Sequence, residues 1–331
     1  RAAMARLEGE GTVLRARLGG RVVFCHRRLL ARIRRAMVES LRKAIQPVSE
    51  ERFRAFRRRW QHLDPETRLD GPRGVGEALR QLAGLEFTAA EWEQEVLPAR
   101  VADYRREWLD QLTLSGEFVW LRLWGAFRGP LSTCRVAIVP REDLDAWLAL
   151  AAERRGPVEL NAPAGQLREL LAARGATFPA ELQARSKLLP SWFEEGLGEL
   201  VGTGLATCDS FAALRQLAIA PSKRRFPVHA VGRWSLIPAP DPAAQPSLEP
   251  APIVVAARQL LARHGVACLA VVQEERFPVP WRLLLRALRE MELRGEVRGG
   301  RFVAGFGGEQ FASDEAVAEL RRRAPEPVPP G

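Results

Sequence analysis

Residues 280–306 read PWRLLLRALREMELRGEVRGGRFVAGF. Leu284, Leu288 and Met291 recur at helical spacing, and Leu285 and Ala287 widen the stripe, so the spacing predicts an amphipathic helix. Pro280 suits its first turn, and Gly295 ends it where a left-handed residue costs little. Glu296-Val297-Arg298 and Arg301-Phe302-Val303 flank Gly299-Gly300, which reads as two short strands around a two-residue turn. A helix running straight into a tight hairpin is the second half of a winged helix. The first half precedes it: a helical pattern over 253–264 closed by Gly265, a short strand at 266–268 to pair with the wing, and a second helix over 269–275.

The same order occurs twice more. Residues 166–174, 175–178, a short segment from Pro179, 190–202 and GLATCDSF from Gly204 repeat it, with Pro190 lying 90 residues before Pro280. A weaker copy runs through 77–85, Phe87, 89–96, 98–112 and GEFVWLRL at 116–123, with Pro98 lying 92 residues before Pro190. Spaced copies of one unit argue for an array of modules and against a single α/β sheet. The expected fold is therefore α+β and mostly helical, a tandem array of winged-helix modules with additional short β segments. The expected division is a basic helical segment at 1–70 that could itself be a winged helix, a module at 71–125 entered by a loop at 68–76, and a strand-helix connector at 126–160. A module at 161–238, a Pro-rich linker at 239–252, a module at 253–323 and a tail at 324–331 complete it.

The 331 residues, 47% of them hydrophobic, exceed one ordinary core and suit two to four domains. The chain opens at Arg1 and ends in EPVPPG, so a piece of a longer protein is expected. It contains neither a signal peptide nor an apolar run of spanning length, which makes the cytoplasm the default and gives no role for a membrane. Cys25, Cys134, Cys208 and Cys268 are scattered without a CxxC pair, against a disulfide framework or a zinc site. No GxxxxGK[ST], HExxH or HxE with PCxxC occurs, and the glycines of Gly202-Thr203-Gly204 and of 305–311 lack the strand and helix that frame a dinucleotide site. No cofactor is expected in this chain.

Net charge is +10, and residues 21–60 hold 13 Arg and Lys against 3 Asp and Glu, leaving 37 of each sign elsewhere. Within that segment Leu30, Ile33, Met37 and Leu41 form a helical stripe expected to be core, with arginines opposite. A following helix, capped by Ser49, is expected to bury Phe53, Phe56 and Trp60 and to offer Arg57, Arg58 and Arg59 to a phosphate backbone. The third helix of a winged helix occupies the groove-entering position of helix-turn-helix proteins. In the last copy Arg282, Arg286 and Arg289 lie opposite the apolar stripe, with Arg298 and Arg301 on the wing, making one cationic face. The equivalent helix of the middle copy carries Glu194, Glu195 and Glu199, a face that repels a duplex. With Trp192 expected at its surface, that copy suits packing against another module or subunit.

WQHL (60–63), LPARV (97–101), LSGEFVWLRL (114–123), PREDL (140–144), GLAT with DSFAALR (204–215), GRWSLIP (232–238) and above all ELRGEVRGGRFVAGFGGEQFA (292–312) resemble the C-terminal domain of bacterial large helicase-related (Lhr) proteins. The resemblance implies that the chain follows a superfamily 2 ATPase core, absent here, that uses ATP and Mg to translocate 3′ to 5′ on single-stranded DNA. That core unwinds duplexes, RNA:DNA hybrids included, in DNA repair. It further implies a string of winged-helix modules, a homo-oligomer such as a tetramer or hexamer, and a place in the bacterial cytoplasm at the nucleoid. More distantly, the family is similar to winged-helix DNA glycosylases, whose motif of Gln, an apolar residue and then Gln or Asp orients a water at the flipped nucleotide. The matching residues are Gln61 and His62, with Leu63 where the second polar group belongs. Two classes of function follow: a non-catalytic assembly and DNA-holding domain, and, as the alternative, a glycosylase acting on alkylated, crosslinked or uracil bases.

Overall fold

The computed structural model describes residues 2–18, 20–43, 45–152, 156, 158–219, 232–238, 252–275 and 279–322. The linker expected at 239–252, apart from Pro252, and the tail at 324–331 lie outside them, as do residues 226–231 of the last copy but one.

The chain opens with α1 (Ala2–Gly9) and an antiparallel ribbon, β1 (Val13–Leu18) and β2 (Arg21–His26), which runs directly into α2 (Arg27–Lys43). The stripe expected to be core on α2 is not buried where it is described: Leu30 is half-buried, Ile33 is 44% and Met37 60% exposed, and the Leu41 side chain lies outside the described ones, while Arg42 near the helix end pairs with Glu292. In α3 (Glu50–Trp60) the Ser49 hydroxyl accepts the Arg52 N–H, and Phe53 and Phe56 are fully buried while Trp60 is half-buried.

The first module contains β3 (Leu69–Asp70), α4 (Gly71–Leu82), β4 (Glu86–Thr88), α5 (Ala89–Glu91) continuing through a π turn at Trp92–Val96, β5 (Val101–Ala102), α6 (Arg106–Leu114), β6 (Phe118–Leu121) and β7 (Arg135–Pro140). Three expectations change here. Residues 71–76, read as loop, form the first turns of α4: Pro72 fits the start of a helix, and Gly74 lies against Leu69, whose Cβ is 2.8 Å from where its own would stand. The helix expected over 98–112 begins only at Arg106, because Val101 and Ala102 pair in parallel with Leu69 and Asp70 and Asp103 turns with φ +48°. The strand placed in a connector, β7, is the middle strand of this module's sheet, order β4-β7-β6, and α7 (Leu144–Ala151) packs behind it.

The second module has α8 (Ala162–Arg174), α9 (Pro179–Ser186), α10 (Pro190–Gly202), β8 (Ala206–Cys208), α11 (Phe211–Ala218) and β9 (Trp234–Leu236). β8 pairs antiparallel with β9, and Thr177 bridges Trp234 from the other side. The third has α12 (Pro252–His264), β10 (Val266–Ala267), α13 (Leu269–Glu275), α14 (Trp281–Arg294), β11 (Arg298–Gly300), β12 (Gln310–Ala312) and α15 (Asp314–Arg321). Here the helix that opens the argument stands as expected, with Gly295 at φ +81° closing it. The wing differs. Gly299 and Gly300 lie inside β11 and pair with Phe311 and Gln310, so the hairpin closes through residues 301–309. The Gln310 side chain, fully buried, sets that register. Its Oε1 accepts the Phe302 and Val303 N–H groups at 2.9 and 2.8 Å, and its Nε2 donates to the Val303 and Phe306 carbonyls at 3.0 Å each.

Three cores hold these parts together. The largest spans the first and second modules: Trp120 of β6 stands edge-on to Trp234 (6.0 Å) and Phe211 (6.5 Å), and the Thr207 hydroxyl donates to the Trp120 carbonyl at 2.6 Å. Arg215 of α11 reaches across to Glu93 and Asp110. A second joins α3 to α12–α15, so Phe53 and Phe56 belong to the last module's interior. The third packs Trp147 of α7 with Leu121, Val139, Ile237 and Val255.

Candidate nucleic-acid interface

α14 is oriented by Leu284, Leu288 and Met291, all buried, which leaves Arg282, Arg286 and Arg289 on the solvent side as the spacing requires. Their charge is largely answered within the module. Arg286 Nε lies 3.3 Å from Glu290, Arg289 forms a two-pronged pair with Glu309, and Arg298 of the wing pairs with Asp314. Glu309 holds the Arg289 guanidinium above its usual pKa, and the same contact draws the Glu309 carboxyl below the usual carboxylate range. Arg282 and Arg301 are exposed, and among the described residues no carboxylate pairs with either.

The arginines of α3 are likewise engaged. Arg57 Nη1 meets Glu274 of α13 at 2.8 Å while its guanidinium lies over Phe53, and Arg59 Nε meets Glu319 of α15 at 3.2 Å. Arg58 pairs with Asp64 at 2.9 Å and keeps its side chain 65% exposed. Arg57 and Arg59 thus fasten α3 onto the last module. Their carboxylate partners lie more than 200 residues away in the chain, and no local pattern announces them.

Gln61 and His62 fall at the end of α3, beside a cavity of about 240 Å³ between the first and last modules. Gln61 is the C-cap residue, and its side-chain Nε2 donates to the Arg263 carbonyl at 2.9 Å. His62 adopts φ +57° and its Nδ1–H donates to the Thr67 carbonyl at 2.8 Å. Each side chain thus has a backbone carbonyl as partner, and Leu63 brings no polar atom. What the sequence reading missed is the polar seam around them. Gln81 Nε2 donates to the Trp60 carbonyl at 2.8 Å, Gln259 Nε2 to the Gln81 carbonyl at 2.6 Å, and the buried Arg263 reaches the Gln81 carbonyl at 3.2 Å and also that of Ala83. Arg263 also pairs with Glu275, whose other oxygen lies 2.5 Å from His264 Nε2. Burial, with Arg57 and Arg263 nearby, lowers the His264 pKa to about 3, so the ring is neutral.

On the second module the Glu195 and Glu199 carboxylates accept from the Asn161 side chain and backbone N–H at 3.2 Å each, and Arg128 approaches Glu199 at 3.6 Å. Leu189 and Trp192, at the start of α10, are 60% and 52% exposed.

Residues 248–330 match the fourth winged-helix domain of large helicase-related proteins, and residues 48–141 match the third. The chain is 29% identical, over 96% of its length, to a Mycolicibacterium smegmatis protein named Lhr helicase/probable uracil glycosylase, and 30% identical, over 76% of its length, to the Escherichia coli Lhr helicase/uracil glycosylase. It spans about a fifth of each relative, 22% and 18%. No described helix is long and apolar enough to cross a membrane. Winged helices in the expected order, each bearing the motifs quoted above, together with these matches place the chain in the large helicase-related family, whose third and fourth winged-helix domains it carries.

Proposed function

We propose that this chain is the DNA-holding and self-assembling part of an ATP-driven 3′-5′ DNA-repair helicase of the bacterial nucleoid, without turnover of its own. ATP and Mg belong to the motor core outside the chain, and the partners are DNA or an RNA:DNA hybrid and further copies of itself. The observation that carries the reading is α14 with its wing, which presents Arg282 and Arg301 to solvent uncompensated on a module matched to a helicase-related winged helix. Self-assembly is supported by the exposed Leu189 and Trp192 at the start of α10, apolar surface that a second copy would remove from water.

The test combines light scattering with fluorescence anisotropy on a labelled single-strand/duplex junction across a salt series. We expect a mass of several chains, reduced by Trp192→Glu, and DNA affinity that falls with salt. Arg282→Glu with Arg301→Glu is expected to lower the slope of log affinity against log salt by about two. The glycosylase alternative rests on Gln61, and both relatives are named for uracil glycosylase activity as well as helicase activity. Abasic sites formed by the isolated chain in uracil-containing oligonucleotides, and lost in Gln61→Ala, would reverse the choice.

A further inference from the structure

Nine of the ten net positive charges lie in residues 1–43, which hold 12 Arg and Lys against 3 Glu. Unlike the arginines of α3 and α14, most of those described here are unanswered. Arg17 and Arg21 on the ribbon and Arg27, Arg28 and Arg32 on α2 are exposed, and no described carboxylate pairs with them.

The ribbon arranges this charge around an aromatic ring. Residues opposed in an antiparallel pair share a face, so one face of β1-β2 carries Arg15 with Phe24, Arg17 with Val22, and Val13 with His26. Phe24 is 45% and Val22 58% exposed. The Arg15 guanidinium lies 5.7 Å from the Phe24 ring centroid and is held there by Glu8, at 2.7 Å from Nε and 3.0 Å from Nη2. A duplex presents phosphates outward and keeps its base faces stacked, so it meets the arginines but gives Phe24 and Val22 nothing to cover. Unpaired bases do both: their π-faces stack on an aromatic ring while the flanking phosphates take the cations. An acidic protein surface would satisfy the arginines but supplies no stacking partner.

We propose that this ribbon face, with Phe24 as a stacking platform and Arg17, opposite Val22, as a phosphate contact, binds single-stranded nucleic acid. The proposal deepens the DNA-holding reading and rests on it, moving the single-strand contact from the groove-entering helix to the N-terminal ribbon. Bases and phosphodiesters are common to DNA and RNA, so either strand satisfies the chemistry.

The experiment uses the whole chain and three labelled probes: oligothymidine, oligouridine and a blunt duplex of equal length. Thermal melts first establish that each variant keeps the wild-type transition. Phe24→Ala is expected to weaken oligothymidine binding about tenfold and blunt-duplex binding less than twofold, and Phe24→Trp to retain wild-type affinity. Arg17→Glu should lower the salt slope for oligothymidine by about one. A comparable loss with oligouridine assigns the site to either strand, and a loss with oligothymidine alone assigns it to DNA; both support the ribbon. If Phe24→Ala binds oligothymidine as wild type does while Arg282→Glu with Arg301→Glu abolishes it, the ribbon proposal falls and the DNA-holding reading stands. If the wild-type chain binds none of the three probes, that reading falls and takes the ribbon with it.

Discussion

Gly265 sits at φ +69°, and a Cβ added there would stand 2.4 Å from the Phe56 ring and 3.4 Å from Ala316. The glycine was legible as a helix stop, but its second duty, making room for a ring from a helix 200 residues earlier, was not. We expect Gly265→Ala to cost about 3 kcal/mol, combining left-handed strain with overpacking, read from the urea midpoint of unfolding. Phe56→Leu in the same chain should return part of that loss by opening the space. His264 carries a pH dependence. Its pKa in the folded chain lies near 3, below the ordinary value of 6.5, because burial and the cations Arg57 and Arg263 disfavour its charged form. The unfolded chain therefore binds more protons between those two values, so this contribution to stability is complete above about pH 6.5 and lost as pH falls toward 3. The effect is on the order of a few kcal/mol. Urea midpoints measured across that range should rise with pH in the wild type and flatten in His264→Gln; identical slopes would refute the assignment.

At the scale of elements, periodicity served well where a helix meets its own core. The α14 stripe and its Gly295 stop were readable because 3.6-residue spacing and a left-handed cap are local properties. On α2 the same kind of stripe was misleading, since an apolar face states a need for cover without naming a cover, and Ile33 and Met37 face solvent. The wing shows the other limit. Gly-Gly between short apolar runs is a fair turn signal, yet one side chain, Gln310, supplies four hydrogen bonds to the loop at 301–309 and draws the pairing to 310–312. Gln310→Ala should leave the Phe302 and Val303 amides and two carbonyls without partners, costing about 3 kcal/mol. Hydrogen exchange checks this: protection of the Phe302 and Val303 amides is expected to fall while that of α14 persists.

For the whole molecule, the repeat suggested separable modules, and the cores show that their interiors are shared. Trp120 belongs to the first module by sequence order, but Trp234 and Phe211 of the second pack on it, and Arg215 of the second engages Glu93 and Asp110 of the first. A polypeptide ending at residue 160 would leave Trp120 and the neighbouring core in water. Near-ultraviolet circular dichroism is expected to show loss of the fixed aromatic environment and of a cooperative melt; a sharp transition like that of the whole chain would contradict the shared core. By itself the sequence determined the unit and its repetition, because helix spacing, caps and stops act within a few residues, and its quoted motifs sufficed to assign the family. Tertiary structure decided which charges remain free. A carboxylate neutralises an arginine by distance in space, and Glu274, Glu309, Asp314 and Glu319 come to Arg57, Arg289, Arg298 and Arg59 only when the chain has folded.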